Sequence, residues 1–326
     1  MAASNTAVEL FDPDDVARRL ETRIGKLHAK LRLGIEREHE AQAFGQGLTF
    51  FHFENMPPLQ IAIEAALRAT GLYRRGRANA ADVRLRHNLV SLARLPKTLD
   101  GFAILHLSDL HADMSGPAMQ RVEALIRGLA YDVCVMTGDY RGRTFGDFKP
   151  CLESVIRLRQ GISREVYAVL GNHDSIAMIP DLEAAGIRVL LNESSAIVTG
   201  PSQLYLAGVD DAHFYRADNI EKAAADIPDD CVSILLSHTP EIYRQAAHAG
   251  FDLMLSGHTH GGQICLPGGI PIVLEAKLPR AYGAGAWRHA GMAGYTSVGA
   301  GSSIVPVRFN NRPEITLHRL ARGAPQ

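Results

Sequence analysis

The sequence predicts an α/β fold, built on a mixed sheet or on two sheets face to face and covered by helices. Three observations predict it. From residue 101 onward, short apolar runs alternate with amphipathic stretches. Some of those runs follow each other directly, which points to a mixed sheet rather than a wholly parallel one. Before residue 100, helical periodicity dominates. The chain is therefore divided into a helical N-terminal region, 1–98, and an α/β domain, 99–326.

Val16, Leu20, Ile24, Leu27, Leu31 and Ile35 recur at spacings of four and three. That pattern predicts one amphipathic helix of about 20 residues, capped by Asp12, Pro13 and Asp14. A second helical piece follows "NMPPLQ" and runs through Ile61, Ile63, Ala66 and Leu67 to Gly71. The arginine-rich "YRRGRANAADVRLRH" comes next. This region has two readings. One is a packing or homo-oligomerising appendage. The other is a peripheral membrane contact, because "LTFFHFENMPPLQIAIEAAL" sets aromatics beside Arg68, Arg74, Arg75 and Arg77, a combination suited to an anionic leaflet.

In the second region "GFAILHL" reads as a buried strand, "AMQRVEALIRGLA" as a helix and "YDVCVMTG" as a strand. A helix around "CLESVIRLRQ" and the strand "REVYAVLG" follow. Further strands are read at "IRVLLN", "AIVTG", "LYLAGVD", "VSILLSH", "FDLMLSG", "GYTSVGAG" and "EITLHRL".

Composition excludes several classes. The chain is 46% hydrophobic and 21% charged, a globular balance far from disorder. A formal net charge of −1 gives no global basic field for nucleic acid. The four cysteines form no CxxC pair, so a reducing compartment without a disulfide framework is expected. Cys134 and Cys231 lie in apolar runs and are read as buried. The N-terminus lacks a basic start and an apolar core, so no signal peptide is read. No run of about 18 apolar residues marks a transmembrane helix. The expected location is cytoplasmic, at the inner face of a membrane under the second reading.

The chemistry gathers where ligand sites gather in α/β proteins, beyond the carboxyl ends of strands. After "AILHL" come Asp109 and His111. After "DVCVM" comes Asp139, and after "VYAVL" come Asn172, His173 and Asp174. "SILL" leads to His238, and "DLML" to His258 and His260. Gly138, Gly171 and Gly257 each precede a donor or donor pair, where a residue without Cβ permits a sharp turn. An Asp–His pair at one strand end is ordinary loop chemistry; five strand ends supplying only Asp, Asn and His are not. Imidazole and carboxylate suit Mn, Fe or Zn, and Mg is also admitted. The absence of cysteine argues against a structural thiolate zinc site. Asp109, His111, Asp139, Asn172, His238, His258 and His260 are seven donors, more than one ion needs. Two ions about 3.5–4 Å apart are the arrangement used for in-line displacement at phosphorus. His28, His39, His52, His87, His248, His289 and His318 lie outside any such setting and read as surface or packing residues. His106 and His213 are nearer to it.

"SDLH", "GDY", "GNHD", "SHTP" and "SGHTHGG", in this order, resemble the calcineurin-like metallophosphoesterase superfamily over roughly residues 100–320. "LPKTLDGFAILHLSDLH" and "GAGSSIVPVRFNNRPEITL" look most like its bacterial YaeI-like and YkuE-like phosphodiesterase branch. Members of that branch often begin with a membrane-spanning or signal segment, where this chain has helices. The resemblance implies two mixed sheets packed face to face and flanked by helices. It also implies a dinuclear site, with Asp109, His111 and His260 on one ion, Asn172, His238 and His258 on the other, and Asp139 bridging. His173 would contact the phosphate and assist the leaving oxygen, and Asp174 would orient His173 through a hydrogen bond. The implied reaction is phosphodiester hydrolysis by a metal-bridging hydroxide attacking in line. A second reading is a pyrophosphatase on a nucleotide-linked lipid precursor such as UDP-2,3-diacylglucosamine. A third, of another class, is a metal-bound scaffold that holds a partner protein.

Overall fold

A computed structural model describes residues 11–41 and 57–323. The first helix is not continuous. Gly25 takes φ +86°, a left-handed conformation that ends a helix readily. It separates α1 (Pro13–Ile24) from α2 (Lys26–Ala41). The break re-phases the second half. α1 buries Val16 and Leu20 as the apolar stripe predicts, but α2 buries Ala29 and Arg32 and leaves Leu27 73% and Leu31 56% exposed. The face that α2 docks is set by ion pairs, described below, rather than by its leucines.

α3 (Pro57–Ala69) and α4 (Tyr73–Ala81) follow. The aromatic stretch "LTFFHFEN", on which the membrane reading leans, lies outside the described residues. β1 (Arg84–Leu92) corrects the reading of everything before residue 98 as helical. It pairs in parallel with the last strand over all nine of its residues. It is an edge strand whose first half faces solvent. Its arginines blunt the edge and hide the period-2 alternation that marks a half-buried strand.

The remaining elements are β2 (Ala103–Leu107), α5 (Gly116–Ile126), β3 (Val133–Thr137), α6 (Lys149–Gln160), β4 (Val166–Val169), α7 (Ile179–Ala184) and β5 (Ile187–Val189). Then come β6 (Glu193–Thr199), β7 (Ser202–Gly208), α8 (Ile220–Ala224), β8 (Val232–Leu236), α9 (Tyr243–His248) and β9 (Leu253–Ser256). A two-stranded ribbon, β10 (Cys265–Leu266) with β11 (Ile270–Pro271), precedes β12 (Gly285–His289), β13 (Met292–Thr296) and β14 (Glu314–Arg322). The strand expected over "GYTSVGAG" ends at Thr296, and β12 was not visible in the sequence.

Two six-stranded mixed sheets result, in the orders β1-β14-β2-β3-β4-β5 and β12-β13-β9-β8-β7-β6. β2 to β5 run parallel, as do β7, β8 and β9. β2, β3, β4, β8 and β9 are buried on both faces, so they read as unbroken apolar runs. Ile104, Val135 and Val169 of the first sheet meet Leu206, Ile234 and Leu255 of the second in one core between the sheets. A second core lies under α5, α6 and α7, and a third between the other sheet and α9. The four layers are thus helices, sheet, sheet, helices. The cysteines are free; Cys134, Cys151 and Cys265 are buried, whereas Cys231 is only half-buried. Cys231 falls just before β8, one residue short of the apolar run assigned to it. Among the described residues no helix is long and apolar enough to cross a membrane.

Candidate metal centre

β2, β3 and β4 of one sheet and β8 and β9 of the other deliver their carboxyl ends to one place. The loops leaving β2 and β3 stay paired beyond the strands, through Asp109 N–H to Gly138 O at 3.0 Å and His111 N–H to Asp139 O at 3.0 Å. Asp109, His111, Asp139, His258 and His260 all have φ between +38° and +71°, a region that non-glycine residues rarely occupy. Two glycines allow the close approach. A Cβ on Gly257 would strike Ser108 Oγ and Asp109 Oδ2, and one on Gly171 would strike the Asp139 carboxylate.

All nine sequence-predicted site residues come together here, each at most 5% exposed. Asp109, His111 and His260 offer ligand atoms within 4.8 Å of one another, and so do Asp139, His238 and His258. Within the first group His111 Nε2 lies 3.1 Å from His260 Nε2, which is 3.5 Å from Asp109 Oδ1. Asn172 joins the second, its Oδ1 2.9 Å from both His238 Nε2 and His258 Nδ1. Asp139 Oδ2 stands between the groups, 3.2 Å from His238 Nε2 and 4.0 Å from His111 Nε2.

The donor chemistry fits divalent cations. His111 Nδ1 donates to Arg141 O at 2.8 Å and His238 Nδ1 to Thr137 O at 2.7 Å. A carbonyl can only accept, so in each neutral ring Nε2 carries a lone pair turned inward. In that tautomer the lone pairs of His238 Nε2, Asn172 Oδ1 and Asp139 Oδ2 face one another, the two oxygens at 2.9 and 3.2 Å from the ring nitrogen. A cation makes that arrangement favourable. Without a metal, protons take the role. Burial pushes His238 down, but the charge and hydrogen bond of Asp139 outweigh it and raise its pKa to about 10. Burial pushes Asp139 up, and His238, His173 and His111 together hold it well below the usual range. Burial, with Asp139 nearby, lifts Asp109 to about 6.

Asp174 does not orient His173. Its Oδ2 accepts from Asp139 N–H at 2.7 Å and Gly171 N–H at 2.9 Å, and its Oδ1 from Tyr140 N–H at 2.9 Å. It is a brace between the β3 and β4 loops. The hydroxyl beside His173 Nδ1 belongs to Thr144, at 3.3 Å, and His173 Nε2 points toward Asp139 Oδ2 at 3.9 Å.

Several residues support the site; Arg308, His318 and Arg32 escape the sequence reading, whereas His106 and His213 read as nearer to it. Arg308, fully buried, reaches His260 through its carbonyl at 3.2 Å and its ring Nδ1 at 3.0 Å. His213 packs its ring 4.2 Å from that of His258 and pairs with Glu241 at 2.7 Å. His106 and His318 begin a directed chain. Asn88 Nδ2 donates to His318 Nδ1, so His318 Nε2 donates to His106 Nδ1 at 3.2 Å, and His106 Nε2 to Thr137 Oγ1 at 2.9 Å. Thr137 then donates to Ser108 Oγ and Ser108 to Asp109 Oδ2, at 2.7 and 2.6 Å.

Arg32 of α2 is the most consequential of these residues. Its guanidinium lies 3.3 Å over the Tyr215 ring, meets Asp210 Oδ1 at 3.3 Å and donates to Asp174 O at 3.3 Å. It also pairs with Glu36, which accepts from Ile176 N–H at 2.8 Å and Ser175 Oγ at 2.6 Å. The N-terminal helix therefore grips the loop that carries His173. Arg32→Met removes the guanidinium from the fully buried Asp210, which among the described residues keeps His28 and the Asp211 N–H. The expected loss is about 3–5 kcal/mol of stability, read as a lower urea midpoint. An unchanged midpoint would show the ion pair to be incidental.

Comparisons with known proteins place the chain in a family. Residues 102–262 match the family described as calcineurin-like phosphoesterase. The chain is 31% identical over 227 residues to the uncharacterized metallophosphoesterase YkoQ of Bacillus subtilis, covering 67% of this chain and 83% of that one. It is 30% identical over 235 residues to phosphodiesterase YaeI of Escherichia coli, covering 67% and 82%. A Danio rerio protein named transmembrane protein with metallophosphoesterase domain is 30% identical over 252 residues, covering 70% of this chain and 55% of its own.

Proposed function

The chain belongs to the calcineurin-like metallophosphoesterase family, whose members are metal-dependent phosphoester hydrolases, and on that premise we propose that it is a dinuclear phosphodiesterase. The observation that carries the proposal is the placement of Asp139 Oδ2 between two groups of buried donors. Asp109, His111 and His260 would hold one ion and Asn172, His238 and His258 the other, with Asp139 placed to serve both. Mn, Fe and Zn suit these ligands best. The chemistry that such a pair of ions supplies is neutralisation of charge on phosphate oxygens and activation of water. The preference for diesters follows the similarity to the protein named phosphodiesterase YaeI.

His173 acts on the substrate itself. Its buried ring stands edge-on to His111, centroids 5.2 Å apart, and Thr144 steadies Nδ1. Nε2 is thus turned toward the place where a phosphate would lie beside Asp139. There it donates to a non-bridging oxygen and holds the proton that the leaving alkoxide needs. His173→Ala is expected to keep both ions and to lower kcat about 10²–10⁴-fold on a diester with a poor leaving group. Full activity on such a diester would remove His173 from this role.

The direct test is turnover of bis(4-nitrophenyl) phosphate by the Mn-loaded protein, beside the monoester 4-nitrophenyl phosphate. Faster turnover of the diester is expected. Two bound ions with no turnover of either would favour a scaffold that holds a partner.

A further inference from the structure

A cavity of about 280 Å³ opens directly beside the candidate metal centre, and His258 and His260 form part of its wall. The rest of the lining is mostly apolar: Ile63 of α3, Ile264, Ile272, Val273, Ile304 and Val305. Small-molecule pockets run from about 300 to 1,000 Å³ and combine apolar walls with a few converging polar groups. His258 and His260 bring the metal end of the cavity its polar groups, and Thr259, Gln263, Glu275 and Ser303 complete the lining. The polar backbone of residues 303–305 is occupied inside the wall. Gln263 donates to Ser303 O at 2.8 Å and Val305 O at 3.0 Å, and accepts from Ser303 N–H at 2.8 Å.

The wall is also built under strain. Ile304 has φ +62°, and Val305 N–H bonds back to Ser303 O at 2.6 Å. That is the rare, strained form of a γ-turn, and a β-branched residue in it is an outlier. Such strain persists where surrounding structure enforces it, and it clusters at ligand sites. Val273 of the lining is 66% exposed, so the apolar surface continues outward there.

We infer that this cavity receives an alkyl or acyl chain on the substrate, so that the enzyme acts on phosphoesters with the phosphate at the metal centre and an apolar chain between α3 and the 303–305 turn. The inference rests on the phosphodiesterase reading. Continuity selects the occupant: a group that fills a cavity walled by His258 and His260 is within bonding reach of whatever those histidines hold.

The test compares 4-nitrophenyl methyl, butyl and octyl phosphate as substrates, and methyl-, butyl- and octylphosphonate as ligands followed by calorimetry. Burying each methylene should raise kcat/KM and affinity about threefold to fourfold until the cavity is full. Ile304→Gly relieves the strained turn while deleting a wall, so it should flatten the chain-length slope without lowering the unfolding midpoint. Ile63→Asn should flatten the same slope from the opposite wall. Affinity that ignores chain length overturns the inference and leaves the phosphodiesterase reading in place. Affinity that climbs with chain length, with no ester hydrolysed, supports the cavity and overturns the phosphodiesterase reading instead.

Discussion

Asp139→Asn is expected to strip metal from both groups and to lower kcat on the order of 10³-fold or more. The substitution keeps the shape of the side chain. An amide oxygen can still accept from His173 N–H, which Asp139 Oδ1 now does at 3.0 Å, so the β4 loop keeps its place. What disappears is the negative charge at the atom between the groups, 3.2 Å from His238 and 4.0 Å from His111. Asp109 then faces two cations as the only carboxylate among the seven donors. Metal analysis should give fewer than two ions per chain, with kcat falling in step. Two retained ions and near-normal turnover would refute the bridging role. His173→Ala, expected to keep its metals, is the companion that separates lost ions from lost chemistry.

A second large effect is expected on acidification of the metal-loaded protein. His106 and His318 are fully buried between the sheets. Burial pushes His106 down to about 3, and burial with the neighbouring His106 pushes His318 well below its ordinary value. Both stay neutral in the folded chain while an unfolded histidine protonates near ~6.5. Below that pH the unfolded state binds more protons, so stability falls as pH falls. The contribution is intact above ~6.5 and is lost toward about 3 at up to ~2.7 kcal/mol per pH unit for the pair. Other groups titrate in the same range, so the reading is a difference: urea unfolding from pH 7 to 5 for the wild type and for His106→Gln with His318→Gln. The double variant should show the shallower slope. Equal slopes would mean that the pair is not neutral when folded.

The donors were legible in the sequence because each follows an apolar run, and an apolar run that ends in Asp, Asn or His has little structural use for them. Their supports were not legible. Arg32 looks like any solvated helix arginine until Asp210, 178 positions away, is brought beneath it. Arg308 sits in an irregular stretch with no period to mark which way it points. The resemblance pairs Asp174 with His173, whereas its carboxylate accepts from three backbone N–H groups of the two loops, partners that no motif marks. Likewise, helical period placed α2 but not its buried face, which electrostatics chose over hydrophobicity.

The left-handed backbone at Asp109, His111, Asp139, His258 and His260 has a consequence for how such a protein can be improved. Each of these conformations costs on the order of 1–3 kcal/mol for a residue with a Cβ, and glycine would relieve it. Selection of variants for heat resistance alone should therefore enrich glycine at these five positions and yield robust, inert molecules. Selection for turnover removes the same substitutions. At these sites thermal hardiness and hydrolysis pull the coding sequence in opposite directions, and only a screen that scores both will hold them fixed.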